Sequence, residues 1–334
     1  MGRAKGEEKM EVKRLEMRRA AFLGFTLIEV LLALLLTMIL LAGIYNLFGS
    51  QEKSQVLVDQ VSEMNQNLRV AAATITRDMR MAGYHLEDAR ATSGTGGGSP
   101  INAIHIIDGG TNGPDTIEIM YGDTTVQTTI RDPMPSPSAE LNVQAVCAPG
   151  ASSQATECGP GGRRLCFCEN DLIVITDGLN SSIFCVTQVQ EAALKIQHNP
   201  GGGPCGAYND PGGHGAFPGY GSGSMLMRLK RKVYSINRTD PNHPVLTVSE
   251  GVGLAGAQPL VDYIEDLQVE ADPSDCMDPV TSRCPDTTGT VRDSCQAYTL
   301  TITARTRKPL AGIGGIRRRT ITEKVKIRNI NCPA

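Results

Sequence analysis

Gly24-Phe25-Thr26-Leu27-Ile28-Glu29-Val30 opens an apolar run that continues from Leu31 to Phe48, and no charged residue occurs from Val30 to Gln51. As a helix rising about 1.5 Å per residue, this run spans the roughly 30 Å of a bilayer's hydrocarbon core. Fifteen of residues 25–48 are Leu, Ile, Val or Phe. At about 0.3–0.6 kcal/mol each, they favour insertion by several kcal/mol in sum. Glu29 is the exception. A carboxylate inside an apolar helix costs about 2–3 kcal/mol to insert and marks a functional position by default.

Upstream lies Arg18-Arg19-Ala20-Ala21-Phe22-Leu23-Gly24. With the residues that follow, it resembles the leader and N-terminal segment of type IV prepilins, which the pseudopilins of type II secretion share. The resemblance implies that a prepilin peptidase cuts after Gly24 and methylates the new N-terminus at Phe25. It also implies that Glu29, with Thr26 in the same assembly segment, registers one subunit against the next. In the family the acid pairs with a neighbouring subunit's N-terminal amine. The physics agrees, because an ammonium formed among apolar helices needs a counter-charge. A secretory signal peptide would have a shorter apolar run and a small-x-small closing site. A plain anchor would leave Glu29 without a purpose.

Residues 1–24 hold seven basic and four acidic side chains, a net charge of +3. Arg18 and Arg19 flank the apolar run, whereas Glu52 and Lys53 on its far side cancel, so the N-terminus is expected in the cytoplasm and the remainder outside. Initiation at Met10 or Met17 would leave a shorter leader that keeps both arginines. Losing the leader takes the formal charge from −3 to about −6 (−3 minus +3). That balance does not call for nucleic acid as an obligatory partner.

From Gln51 to Met81 polar residues enter, yet Leu57, Val61, Met64, Leu68, Ala72, Ile75 and Met79 recur three and four apart. That period predicts an amphipathic helical half, residues 51–83, continuing the membrane half, residues 25–50. Gly43 and Gly49 are its soft points, and Gly83 its stop. The expected helix runs from Phe25 to about Ala82, roughly 85 Å at the standard rise. Its end, Arg77-Asp78-Met79-Arg80-Met81-Ala82-Gly83-Tyr84, resembles the PilW family of minor pilins and the J-type minor pseudopilins. Arg77, Asp78 and Arg80 could equally be a solvated helix face with local ion pairs, and structural use is preferred to a binding role.

Beyond Tyr84 the composition changes, and residues 84–334 are expected to form an extracytoplasmic head. Ala91–Pro100 is rich in Gly and Ser and reads as a mobile connection. Strand patterns follow at 101–107, 116–121, 124–130, 171–176, 183–189, 226–236, 245–248, 261–270, 298–306 and 320–330. Asp177-Gly178-Leu179-Asn180 joins two of them as a hairpin, and Gly122-Asp123 reads as a turn. Gly201–Gly223 is loop. Alternation in 299–303 and 322–327 predicts sheets with one face covered. The fold class is α+β, with a type IV pilin fold: one long helix laid on an antiparallel head. Val261–Val269 and Ile327-Arg328-Asn329 add a weaker resemblance to PilW-type chains.

All ten cysteines follow residue 146. An even number in an exported chain implies disulfides. Cys147, Cys158, Cys166, Cys168, Cys185 and Cys205 fall in a Gly/Pro-rich insertion at about 147–205. Cys276, Cys284, Cys295 and Cys332 fall in the last quarter, and pairing is expected mainly within each group. The rival reading is a metal site. Cys166-Phe167-Cys168 lacks a second pair for a zinc ribbon, no haem motif occurs, and His85, His105, His198, His214 and His243 lack ligand spacing. The acids Asp272, Asp275 and Asp278 read as a solvated loop. No cofactor is expected.

Catalytic patterns are missing too. Gly312-Ile313-Gly314-Gly315 lies between strands, without the Lys-Ser/Thr of a phosphate loop, and reads as a hairpin turn. No nucleophile elbow or His-Glu-x-x-His helix occurs. Arg317-Arg318-Arg319 with Arg305, Arg307 and Lys308 forms a basic patch, read as charge guarding an edge strand. The chain therefore reads as a structural minor pilin and not an enzyme. It would be held first in the inner membrane, then assembled with the major pilin and other minor pilins at the cell surface. The alternatives are a J-like minor pseudopilin of type II secretion, or a tip adhesin or DNA-capture subunit using the cysteine-rich insertion.

Overall fold

The computed structural model describes residues 25–86, 89–91, 99–100, 102–110, 113–137, 140–144, 165, 167–199, 205, 208–209, 217–251, 256–272, 296–310 and 314–329. Its single long helix, α1, runs Leu27–Met81, within two residues of the expected limits. Gly43 and Gly49 do not interrupt it. By compactness the chain divides inside this helix, between Asp59 and Gln60.

In the first unit every residue from Phe25 to Leu47 is exposed. Among the described residues, α1 is the one helix long and apolar enough to cross a membrane.

In the second unit the helix stripe is covered. Met64, Leu68, Ala71, Ala72, Ile75 and Met79 are buried and Val61 is partly so, which makes the Met and Ala positions core. The helix ends because Gly83 adopts φ +75°, a left-handed conformation that is open to glycine at no steric penalty. Its amide donates to Met120 O at 3.0 Å. Asn329 Nδ2 reaches the terminal carbonyls of Met81 and Ala82 at 3.3 and 3.1 Å, satisfying acceptors that have no partner within the helix.

The strands are β1 (Ala89–Ala91), β2 (Ser99–Pro100), β3 (Ile104–Ile107), β4 (Thr116–Thr129), β5 (Leu141–Asn142), β6 (Leu172–Thr176), β7 (Ser181–Cys185), β8 (Gln188–Gln190), β9 (Lys195–Gln197), β10 (Met225–Asn237), β11 (Val245–Glu250), β12 (Gln258–Asp262), β13 (Ile264–Ala271), β14 (Ala297–Arg305) and β15 (Arg318–Lys326). The large sheet runs β12-β11-β10-β6-β7-β1-β2, with β4 on the other edge of β10 and β3 beyond it. Pairing is antiparallel except for the short contact of β1 with β7. β13-β14-β15 and β5-β9-β8 form two smaller sheets.

One core joins the helix to the large sheet and to β13-β15. A second core lies between the large sheet and the β5-β9-β8 sheet. Alternation explains the division. Leu172, Val174 and Ile183 face the first core, and Ile173, Ile175 and Phe184 the second. β6 and β7 are therefore buried on both faces, whereas β14 keeps Thr299, Thr301 and Thr303 half-buried on its outer face.

Four expectations need correction. The run 183–189 is not one strand: β7 ends at Cys185 in the large sheet and β8 begins at Gln188 in the β5-β9-β8 sheet. Gly122-Asp123 is not a turn: β4 is continuous, and its register against β10 shifts opposite Met227 and Arg228. The Gly122 amide donates to Tyr84 O at 2.9 Å, and a Cβ there would lie 2.4 Å from Met227 Sδ. The run 261–270 is not one strand, because Tyr263 at φ 59° breaks it and sends β12 and β13 into different sheets. The ends of Ala91–Pro100 pair as β1 with β2, while residues 92–98 lie outside the described set. The hairpin at Asp177–Asn180 forms as expected, with Asp177 Oδ1 accepting from the amides of Leu179 and Asn180 at 2.9 and 2.7 Å. Those backbone bonds, Asn180's first, hold the Asp177 carboxyl below its usual range.

Candidate functional site

The N-terminal segment presents bare apolar side chains beside one acid. Phe25 and Thr26 precede the helix, and Thr26 caps it: its carbonyl and its Oγ1 accept from the Glu29 amide at 3.0 and 3.3 Å. Thr26-Leu27-Ile28-Glu29 has the spacing of a capping box. Glu29 lies in the first turn, where the helix dipole favours an anion. Phe25, Leu27 and Ile28 are 80, 80 and 67 % exposed, so none of the described residues covers the apolar surface beside the acid. Gly24 lies outside the described residues.

The motif at the end of α1 resolves into one buried group and two exposed ones. Arg77 and Arg80 face solvent. Asp78 is buried and faces β10, accepting from Lys232 Nζ at 2.9 Å and from Tyr234 Oη. Burial alone would pull the Lys232 ammonium down, but the hydrogen bond and charge of Asp78 hold it above its ordinary range. Burial first, then Asp78, pushes the Tyr234 phenol up. Asp78 thus fastens the helix to the large sheet.

Sequence reasoning missed the rest of this polar layer. Asp123 on β4 accepts from Arg228 at 3.1 Å and pairs with Lys230 at 3.2 Å, and Glu118 forks Arg231. Burial raises the Asp123 carboxyl, but bonds from Thr125 and Arg228 with the charge of Lys230 outweigh it and bring it to about 2. The available signal was Arg228-Leu-Lys230-Arg231-Lys232 in an otherwise apolar strand. Four cations there require acids on the neighbouring elements. A cavity of about 360 Å³ opens beside them, bounded by Asp171, Leu172 and Glu250, where β6 and β11 part along one edge of β10. Each cation at its rim already has a carboxylate.

Cys185 and Cys205 form a disulfide within the first expected group. Cys168 is also disulfide-bonded. Cys147, Cys158, Cys166, Cys276, Cys284, Cys295 and Cys332 lie outside the described residues, as do His214, Asp275 and Asp278. Among the described residues no three His, Cys, Asp or Glu side chains converge as a metal site.

The basic patch is smaller than its sequence suggests. Arg305 is buried, its Nη1 donating to Pro241 O at 2.9 Å and its Nε without a partner. Arg318 is held by Glu265, its Nε and Nη2 donating to the two carboxylate oxygens. Arg307, Lys308, Arg317 and Arg319 remain exposed. Gly314 and Gly315 lie in the connection between β14 and β15, where Leu310 bridges Gly315, so the turn reading fits what is described there.

Compared with known proteins, residues 19–45 match the prokaryotic N-terminal methylation motif. No curated protein and no solved structure matches the chain. The matched motif is a type IV pilin-like prepilin signal, and it makes the N-terminus that of a pilin- or pseudopilin-like protein. It implies handling by a prepilin peptidase and assembly with other pilins.

Proposed function

We propose that the chain is a structural minor pilin of the PilW type, cut after Gly24, methylated at Phe25 and built into a type IV pilus that it helps to initiate or support. The observation that carries this reading is the methylation motif over residues 19–45, whose later part falls on a helix, Leu27–Met81, with a bare apolar half. Burying bare Leu, Ile and Phe side chains against neighbouring helices is the role such a surface serves. In the filament, Glu29 neutralises the amine of an adjacent subunit's Phe25. The head, residues 84–334, supplies the exposed surface, stapled by disulfides that belong to an oxidising compartment. The Arg77–Tyr84 segment supports the PilW assignment by resemblance, and the buried role of Asp78 supplies a structural reason for its acid.

N-terminal mass spectrometry of the protein from its own cells tests this directly. The expected peptide begins at an N-methylated Phe25. A mature N-terminus anywhere else, or an unmethylated one, contradicts the reading. Affinity isolation of the tagged protein with sheared surface fibres, as against a secretion complex, separates the pilus from the pseudopilus.

A further inference from the structure

The triplet Asn-x-Ser/Thr, with x other than proline, occurs twice in the chain, as Asn180-Ser181-Ser182 and as Asn237-Arg238-Thr239. It is the acceptor signal for asparagine-linked sugar, a modification of surface loops in exported proteins. The reaction asks two things of the triplet: an exposed, unengaged carboxamide nitrogen, and an accessible hydroxyl two residues on. The two triplets differ in both. At the β6–β7 turn, Asn180 Nδ2 donates to Asp177 Oδ2 at 3.3 Å. Ser182 is buried on β7, its Oγ 2.8 Å from Tyr220 Oη, so that hydroxyl is out of an enzyme's reach while the sheet is intact. Asn237 is the last residue of β10, and Arg238 and Thr239 begin the turn to β11; all three are exposed. Asn237 Oδ1 accepts from the Thr239 amide at 2.9 Å and from Thr239 Oγ1 at 2.6 Å. Its Nδ2 has no partner among the described residues. Arg238 pins the triplet from the middle, its Nε and Nη2 donating to Glu265 O at 3.2 and 2.5 Å.

We propose that Asn237 is an N-glycosylation site of the head, and that Asn180 is not. A carboxamide nitrogen is a weak nucleophile because its lone pair is shared with the carbonyl. It becomes a strong one on losing a proton, and the negative charge that develops then lies largely on Oδ1. Two donors already aimed at that oxygen are the arrangement that stabilises such a charge. The donor substrate is an oligosaccharide carried on a lipid diphosphate. Asn237 Nδ2 attacks its anomeric carbon, so that a C–N bond forms and the C–O bond to phosphate breaks. The lipid diphosphate leaves with the electron pair, and the Nδ2 proton passes to a base of the transferase. Nothing is oxidised or reduced. The inference rests on the head being exported, as proposed above, which the Cys185–Cys205 disulfide reports separately.

The test is mass spectrometry of chymotryptic peptides, without reduction, from the full chain isolated from its own cells. The expected result is an oligosaccharide mass on the peptide covering 235–246, localised to Asn237 by fragmentation, with Asn180 bare. Thr239→Val, which removes the hydroxyl at nearly constant size, should lose the added mass, and Thr239→Ser should keep it. The wild-type measurement stands whether or not either variant folds. A bare Asn237 in protein whose Cys185–Cys205 disulfide is formed overturns this proposal and leaves export standing. A bare Asn237 with both thiols free overturns export as well. Sugar on Asn180, or on a serine or threonine in place of Asn237, overturns the assignment, and so does modification that survives Thr239→Val.

Discussion

Asp78 shows how one buried carboxylate ties a helix to a sheet. Its two partners, Lys232 and Tyr234, lie two residues apart on one face of β10 and are 154 and 156 residues away in sequence. Removing one member of a buried pair leaves the other charge uncompensated, typically at a cost of 3–5 kcal/mol. Lys232 also reaches Glu250 at 3.2 Å, which favours the low end. Asp78→Ala is expected to lose about 3 kcal/mol, a fall in Tm of about 10 °C for a head of this size, read by thermal unfolding. Asp123 makes a prediction in pH. Its carboxyl is depressed from 3.8 to about 2 in the folded state, so the stability it adds is fully present above the unfolded value near 4. That stability is lost as pH falls through 2. About 1.8 pKa units correspond to roughly 2 kcal/mol. Asp123→Asn, which mimics the protonated acid, should therefore be less stable by about that much at pH 6 and within about 0.5 kcal/mol of wild type at pH 2. A gap that stays constant between the two pH values, measured by urea unfolding, would assign the loss to packing instead.

At the scale of elements, two features of the head make separate predictions. The Cys185–Cys205 bridge closes a loop across a sequence separation of 20, and a loop of that size is worth about 3 kcal/mol. Cys185→Ala/Cys205→Ala should lower stability by that order, seen as an earlier urea midpoint at unchanged slope. Gly122 pairs with Leu229 just before β4 shifts register, and packs against Met227 and the Tyr84 carbonyl. Gly122→Ala should cost about 1–3 kcal/mol through overpacking, again measured by urea unfolding. These elements also show what a sequence displays and what it hides. Helix α1 was legible almost to the residue, because a charge-free run, a three-and-four stripe and a terminal glycine are all local signals. The β6–β7 hairpin was legible for the same reason, since Asp177 makes its own turn. The irregularity at 124–126 was not, because the Gly122-Asp123 pair before it reads as a turn, and only the long β10 partner carries β4 on through it. The break at Tyr263 left no trace either: an apolar-alternating run looks continuous when one residue with positive φ redirects it.

For the whole molecule, the division of labour runs along the chain. One helix half is apolar and bare, and a head with two cores is held to the other half by a buried stripe and Asp78. The candidate assembly site was readable in sequence because its parts, Gly24 to Glu29, are contiguous. The polar layer on β10 was hidden because its acids come from α1 and β4, brought together only by folding. The central claim is that Glu29 is there to neutralise a neighbouring subunit's N-terminal amine. Glu29→Gln isolates that charge, since glutamine serves a capping box as well as glutamate does and the helix start is left intact. The decisive measurement is the amount of this variant in sheared surface fibres, from cells holding equal total protein. An unpaired buried ammonium is expected to cut incorporation to less than about a tenth of wild type. Incorporation equal to wild type would contradict the account.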